Sequence, residues 1–151
     1  KVTKSQFALL FTADRIDHNL NPEDGINMHI GKGDTVISDR YYYSTLAYQG
    51  QSTDYAWVKS MNLDCPEIRR PDLCIFLDLS PEESMKRITR GREQVEIYEK
   101  AETLTKFRAR YLDVFQKLSA RGEQIEIIDA SGSIEQTAEA INKAIFKHFG
   151  I

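Results

Sequence analysis

Leu73 to Leu79, LCIFLDL, is a nearly unbroken apolar run with one acid, Asp78, close to its end. Apolar residues without alternation predict a strand covered on both faces, and such strands belong to parallel sheets. Ser80-Pro81-Glu82-Glu83 follows at once. A Ser three residues ahead of a Glu, with Pro at the first helical position, is a helix start, so a helix is expected to run from there to about Arg90. A strand passing directly into a helix is half of a parallel crossover unit. Two further runs repeat the strand pattern, Thr35 to Ser38 before the acid Asp39, and Gln124 to Ile128 before the acid Asp129. The expectation is an α/β fold, a parallel sheet with helices on both faces.

The helices between these strands have their own marks. Phe7, Leu10, Phe11 and Asp14 recur at helical spacing between about Ser5 and Leu20. Asn21-Pro22 is expected to start a short helix that Gly31 and Gly33 end. Helical stretches are expected after Ser38 through about Tyr48 and from Tyr55 to Asn62, with residues 50–54 as a loop. A long helix from about Tyr98 to Arg121 carries a core stripe of Leu104, Phe107, Tyr111, Val114, Phe115 and Leu118. A last helix places Ile134, Ala138, Ile141, Ile145 and Phe149 on one face. The 151 residues suit one domain spanning 1–151. A net charge of −3 argues against a general nucleic-acid or acidic-membrane binder. No apolar run is long enough to span a bilayer, and no signal-peptide pattern opens the chain, so a soluble, cytoplasmic protein is expected. Cys65 and Cys74 are read as reduced thiols, and the Cys and His residues lack metal-site spacing.

Leu9-Leu10-Phe11-Thr12-Ala13-Asp14-Arg15, then Asp39-Arg40-Tyr41 with Ser44-Thr45-x-Ala47-Tyr48-Gln49, resemble the thymidylate kinase family. Pro71-Asp72-Leu73 leading into Phe76 to Glu83 is similar to the family's next strand and helix. The Arg-Gly-Arg segment Arg90-Gly91-Arg92 and the helix after it resemble its lid region. The resemblance implies transfer of the γ-phosphoryl group of ATP to dTMP, with Mg²⁺, in a homodimer. It also implies a three-layer nucleoside monophosphate kinase-like fold, in which a five-stranded parallel sheet has helices on both faces.

Arg40 is always charged and carries a fork suited to phosphate oxygens, which assigns it to the dTMP phosphate. Asp39 beside it is expected to orient Arg40 or to hold a water on Mg²⁺, or, on a purely structural reading, to cap the following helix. Phe11 and Arg15 are four residues apart and share a helix face. Phe11 would stack on the pyrimidine, unless it is simply core. The resemblance gives Arg15 the exocyclic oxygen of thymine, Thr45 the N3 edge and Tyr48 the deoxyribose face, with Ser44 in the same motif and Gln49 a weaker base-side candidate. Of Tyr41, Tyr42 and Tyr43, at least one is expected only to pack. In the lid, Arg87, Arg90 and Arg92 stand close enough to converge on a phosphate chain, with Arg92 preferred. Arg87 and Arg90 also suit a solvated helix end. Glu96-x-Tyr98-Glu99 resembles an element that reaches the nucleotide, and Ala130-Ser131-Gly132 falls where the family holds adenine.

The G-x-x-x-x-G-K-[ST] loop that holds ATP phosphates in such kinases is absent from these residues. Gly31-Lys32-Gly33 lacks its spacing and precedes a strand pattern. The family's central strand carries that loop, so the chain is expected to be part of a longer polypeptide. Two alternatives stay open: a nucleotide-binding protein without catalysis, and a related kinase with another nucleotide acceptor.

Overall fold

The computed structural model describes residues 2–88 and 94–150, with backbone alone at 88 and over 94–100. It divides into two compact units, Lys1–Arg70 and Pro71–Ile151. Each is built around its own packed residues. Among the described residues no helix is long and apolar enough to cross a membrane.

The first unit is helical: α1 (Lys4–Leu20), α2 (Ile26–Gly31), α3 (Tyr42–Tyr48) and α4 (Tyr55–Leu63). Thr3 starts α1 through a capping box, its hydroxyl accepting from the Gln6 amide while the Gln6 side chain accepts from the Thr3 amide. The helix is where the periodicity places it, but its buried face is unexpected. Ala8, Thr12, Arg15 and Asn19 are buried, whereas Phe7, Leu10 and Phe11 are exposed. Phe11 is 46% exposed and stacks on Phe7 with ring centroids 6.3 Å apart, so it is not core. Asn21-Pro22 does not begin α2. The Asn21 side chain accepts from the Glu23 and Asp24 amides in a local turn, and α2 starts after Gly25.

Thr35–Ser38 is not a buried strand. The segment is extended without a ladder partner, and Ile37 is 92% exposed. A strand exists only through pairing with a neighbour, and the two strands described here pair with each other. The helix after it forms as expected. Its core contribution is Tyr42, Tyr43, Leu46 and Ala47, all buried. Gly50 closes it where a side chain would not fit, since a Cβ there would lie 2.5 Å from the Leu46 carbonyl oxygen. Asp54 then caps α4 by accepting from the Trp57 amide.

The second unit holds β1 (Cys74–Asp78), α5 (Pro81–Ile88), α6 (Gln94–Ser119), β2 (Ile125–Asp129) and α7 (Ile134–Phe149). β1 and β2 pair in parallel, from Cys74 opposite Ile125 to Asp78 opposite Asp129. Ser80 accepts from the Glu83 amide at the start of α5, as the sequence pattern predicts. Phe76 of β1 packs on Tyr111 and Phe115 of α6, and Val114, Phe115 and Leu118 are buried. Leu77 and Ile127 stay about half exposed on the sheet. The described residues thus form an α-rich fold with a small parallel sheet of two strands rather than the three strands expected. On α7, Ile134 and Phe149 are exposed and Ala144 is the buried contact. Both cysteines are free. Burial pushes the Cys74 thiol up to about 12, so it is almost wholly unionised near neutrality. Iodoacetamide under native conditions should therefore label Cys65 well ahead of Cys74, and mass spectrometry of the peptides would reveal the reverse order.

Candidate functional site

The first unit contains a cleft of about 540 Å³ between one face of α1, the segment Ile37–Arg40 and one face of α3 with the residue that follows it. Phe11 and Arg15 enter it from α1, Asp39 and Arg40 from the extended segment, and Ser44, Thr45, Tyr48 and Gln49 from α3. Every acceptor-side residue that the sequence places in the first unit therefore lines one cavity.

Arg40 has a backbone φ of 66°, a left-handed conformation that is uncommon for residues with a side chain. The Ser38 hydroxyl donates to the Arg40 carbonyl at 2.8 Å and holds this turn. The guanidinium lies over the Tyr48 ring, 5.8 Å from its centroid. Among the described residues it forms no ion pair, so its charge is open to an anion. Asp39 does not cap α3, because Tyr41 occupies the cap position without a side-chain bond.

Arg15 is the opposite case, a buried cation with 9% exposure. Burial lowers its pKa from the ordinary arginine value, with nearby Tyr41 and Asp14 opposing the shift. Its Nη2 donates to the Thr45 hydroxyl at 3.0 Å, and its Nη1 donates to the Asn62 side-chain oxygen. The Tyr41 ring lies 5.2 Å from the guanidinium carbon. Tyr41 is held in turn: its hydroxyl accepts from Asn19 Nδ2 at 2.8 Å and approaches the Arg69 carbonyl at 2.9 Å. Burial raises the Tyr41 phenol above the ordinary tyrosine value. Tyr42 and Tyr43 are packing residues, as expected for part of the triplet.

Sequence reasoning missed Asn62, which accepts from the Arg15 guanidinium, and Asn19, which donates to the Arg15 backbone carbonyl and to the Tyr41 hydroxyl. A polar residue in a short helix reads as solvated surface, and a contact spanning 47 positions leaves no local pattern. His18 and Asp14 also line the cleft and were not singled out for it.

In the second unit, Arg87 meets the loop after β2. Its Nη2 donates to the carbonyls of Ala130, Ser131 and Gly132, at 2.9, 3.2 and 3.3 Å. Two groups of predicted residues thus come together, through the guanidinium and the backbone of the loop. Hydrogen bonding by the Ser131 side chain, and then by its amide, which donates at 2.8 Å, holds the Asp129 carboxyl below the ordinary range. Opposite it, Asp78 receives both Nε and Nη2 of Arg108, at 2.6 and 2.7 Å. Arg90 and Arg92, and the side chain of Tyr98, lie outside the described residues. Among those described, no group of three His, Cys, Asp or Glu residues is arranged to hold a metal ion.

Comparison with known proteins agrees with the motif reading. The family model for thymidylate kinase matches residues 1–141. A protein of Sulfolobus acidocaldarius named "Probable thymidylate kinase" is 38% identical over 151 residues, covering 94% of this chain and 69% of its own length. Proteins of the same name from Thermococcus onnurineus and Pyrococcus abyssi are 39% and 38% identical. They cover 89% and 93% of this chain and 62% and 64% of their own lengths. The chain thus spans about two thirds of the length of these curated relatives.

Proposed function

The chain belongs to the thymidylate kinase family, and we propose that its cleft binds deoxythymidine monophosphate as the phosphoryl acceptor of an ATP-dependent kinase. One observation carries the reading: a guanidinium with no ion pair among the described residues, a half-exposed phenyl ring and a buried, donor-only guanidinium line one cavity of about 540 Å³. Arg40 takes the acceptor phosphate, Phe11 covers the pyrimidine, and Arg15 with Thr45 reads the base edge. Tyr48 lies against the sugar, with Ser44 and Gln49 completing the wall. Transfer forms a bond from an acceptor phosphate oxygen to the terminal phosphorus of ATP and breaks that phosphorus away from ADP. Catalysis of this kind rests on alignment and neutralised charge, which is what Arg40 offers at the acceptor end.

ATP and Mg²⁺ are the cofactors of this reading. In the Ala130–Gly132 loop Ser131 and Gly132 are exposed and Ala130 is buried, and peptide groups with small side chains suit a purine edge. Arg87 braces its carbonyls, and Arg90, Arg92 and Tyr98 are assigned to the lid side. Asp39, exposed beside Arg40, would hold Mg²⁺ through water; the ion neutralises phosphate charge when bound. The family model runs unbroken across both units, which supports one kinase domain with a three-layer parallel sheet to which these residues contribute β1 and β2. A cytoplasmic homodimer completes the proposal.

Calorimetry with dTMP, dUMP, dCMP and thymidine tests the acceptor assignment directly. dTMP should bind best, and equal affinity for all of them would refute it. Phe11→Ala should weaken dTMP and thymidine alike by about 1–3 kcal/mol, the value of a lost base–aromatic stack. It should leave the melting temperature nearly unchanged, since the ring is outside the core; a large loss of stability with intact binding would contradict this. A second reading is binding without catalysis. That reading predicts dTMP binding with no ADP formed from ATP.

A further inference from the structure

Asn62 is 1% exposed, on the last turn of α4. A buried amide is tolerated when its donors and acceptor are all satisfied. Here they are. Nδ2 donates to the Val58 carbonyl at 2.8 Å and to the Thr12 hydroxyl at 3.3 Å, and Thr12 passes its own proton to the Ala8 carbonyl at 2.9 Å. The side-chain oxygen accepts from Arg15 Nη1. The opposite amide orientation would set an NH2 against the guanidinium and an oxygen against the Val58 carbonyl, so this network admits one orientation only. A chain of fixed polarity therefore runs from the backbone of α1 and α4 to the Arg15 head group.

We propose that Asn62 is a positioning residue that sets the base preference of the cleft, by holding the Arg15 guanidinium with its free protons toward the ligand. The inference rests on the acceptor reading above and extends it to a residue outside the cleft lining. Asn62 and Thr45 anchor one proton from each terminal nitrogen of Arg15, so the edge left for the ligand is donor-only. Such an edge pairs with a ring carbonyl and leaves an exocyclic amino group unmatched. Without Asn62, Arg15 keeps its charge but loses its direction, because one nitrogen would be buried without an acceptor and would turn toward water in the cleft.

The test is Asn62→Leu, similar in volume and without polarity, with affinities for dTMP and dCMP measured by calorimetry on the full chain. The dTMP-over-dCMP preference should shrink by roughly tenfold, the worth of one hydrogen bond to a charged group. Affinity for 2-deoxyribose 5-phosphate, which lacks a base, should stay within about twofold of the parent. A merely structural role would weaken all three ligands together. If the leucine variant fails to fold, Asn62→Ser serves: its hydroxyl reaches the Val58 carbonyl one turn back but not Arg15, and the same loss of preference is expected. A folded variant that keeps the parent's preference overturns the role of Asn62 alone. A parent chain that does not favour dTMP overturns the acceptor reading, and this inference with it.

Discussion

Replacing Arg40 by glycine should weaken dTMP binding about a hundredfold or more while leaving thymidine binding and thermal stability nearly intact. Three effects on stability nearly cancel. An L-residue in the left-handed region, as at the Arg40 φ of 66°, costs roughly 1–2 kcal/mol, and glycine removes that strain. Glycine also loosens the unfolded chain, at a cost of roughly 0.5–1 kcal/mol. The Ser38 bond goes to the Arg40 carbonyl, which the substitution retains. The contact over Tyr48 is lost, worth about 0.5–1 kcal/mol at an exposed site. The sum is near zero. Binding has no such offset. A forked pair of charged hydrogen bonds to phosphate is worth about 1.5–3 kcal/mol per bond, and roughly 1.4 kcal/mol is a tenfold change in affinity. Thymidine lacks the phosphate and should change little. Calorimetry on both ligands, with a melt of each protein, decides the matter. Parallel losses for dTMP and thymidine, or a fall in melting temperature of more than about 5 °C, would exclude a role confined to phosphate.

Local chemistry was legible in the sequence where one segment determines its own structure. The Ser80 helix start and the α6 stripe formed as their patterns predict, and the β1 run formed its strand, although Leu77 on it is half exposed rather than covered. The residues that line the cleft were legible too, because the motif keeps them within two short stretches that enclose it together. Partner-dependent features were not. Thr35–Ser38 has the composition of a strand, yet a strand needs a neighbour, and none pairs with it among the described residues. On α1, apolar periodicity pointed to Phe7, Leu10 and Phe11, whereas the buried face is Ala8, Thr12, Arg15 and Asn19. The burial of that polar face depends on Asn62, Thr45 and Tyr41, which lie far away in sequence. Periodicity identifies a helix by the spacing of its apolar residues; it does not tell which face meets a partner able to satisfy polar groups.

The same separation between binding face and buried face makes Leu46 the stability counterpart of Arg40. α3 has only seven residues, too few to hold a helix by hydrogen bonding alone. It persists because Tyr42, Leu46 and Ala47 pack inward, each at 1% exposure or less. Thr45 and Tyr48 on the same helix line the cleft. Leu46→Ala should cost about 2–5 kcal/mol through lost contacts and the void left behind. In a chain of this size that is a fall in melting temperature of roughly 5–15 °C. Leu10→Ala, at a residue 58% exposed, should cost less than about 1 kcal/mol and serves as the control. On the proposed reading, in which the folded cleft binds dTMP, ligand at about a hundred times its dissociation constant should return roughly 2.7 kcal/mol to the Leu46 variant. Near-equal melting temperatures for the two variants would show that α3 is not anchored through Leu46. A Leu46 variant that is destabilised but not rescued by dTMP would show that the cleft is not the dTMP site.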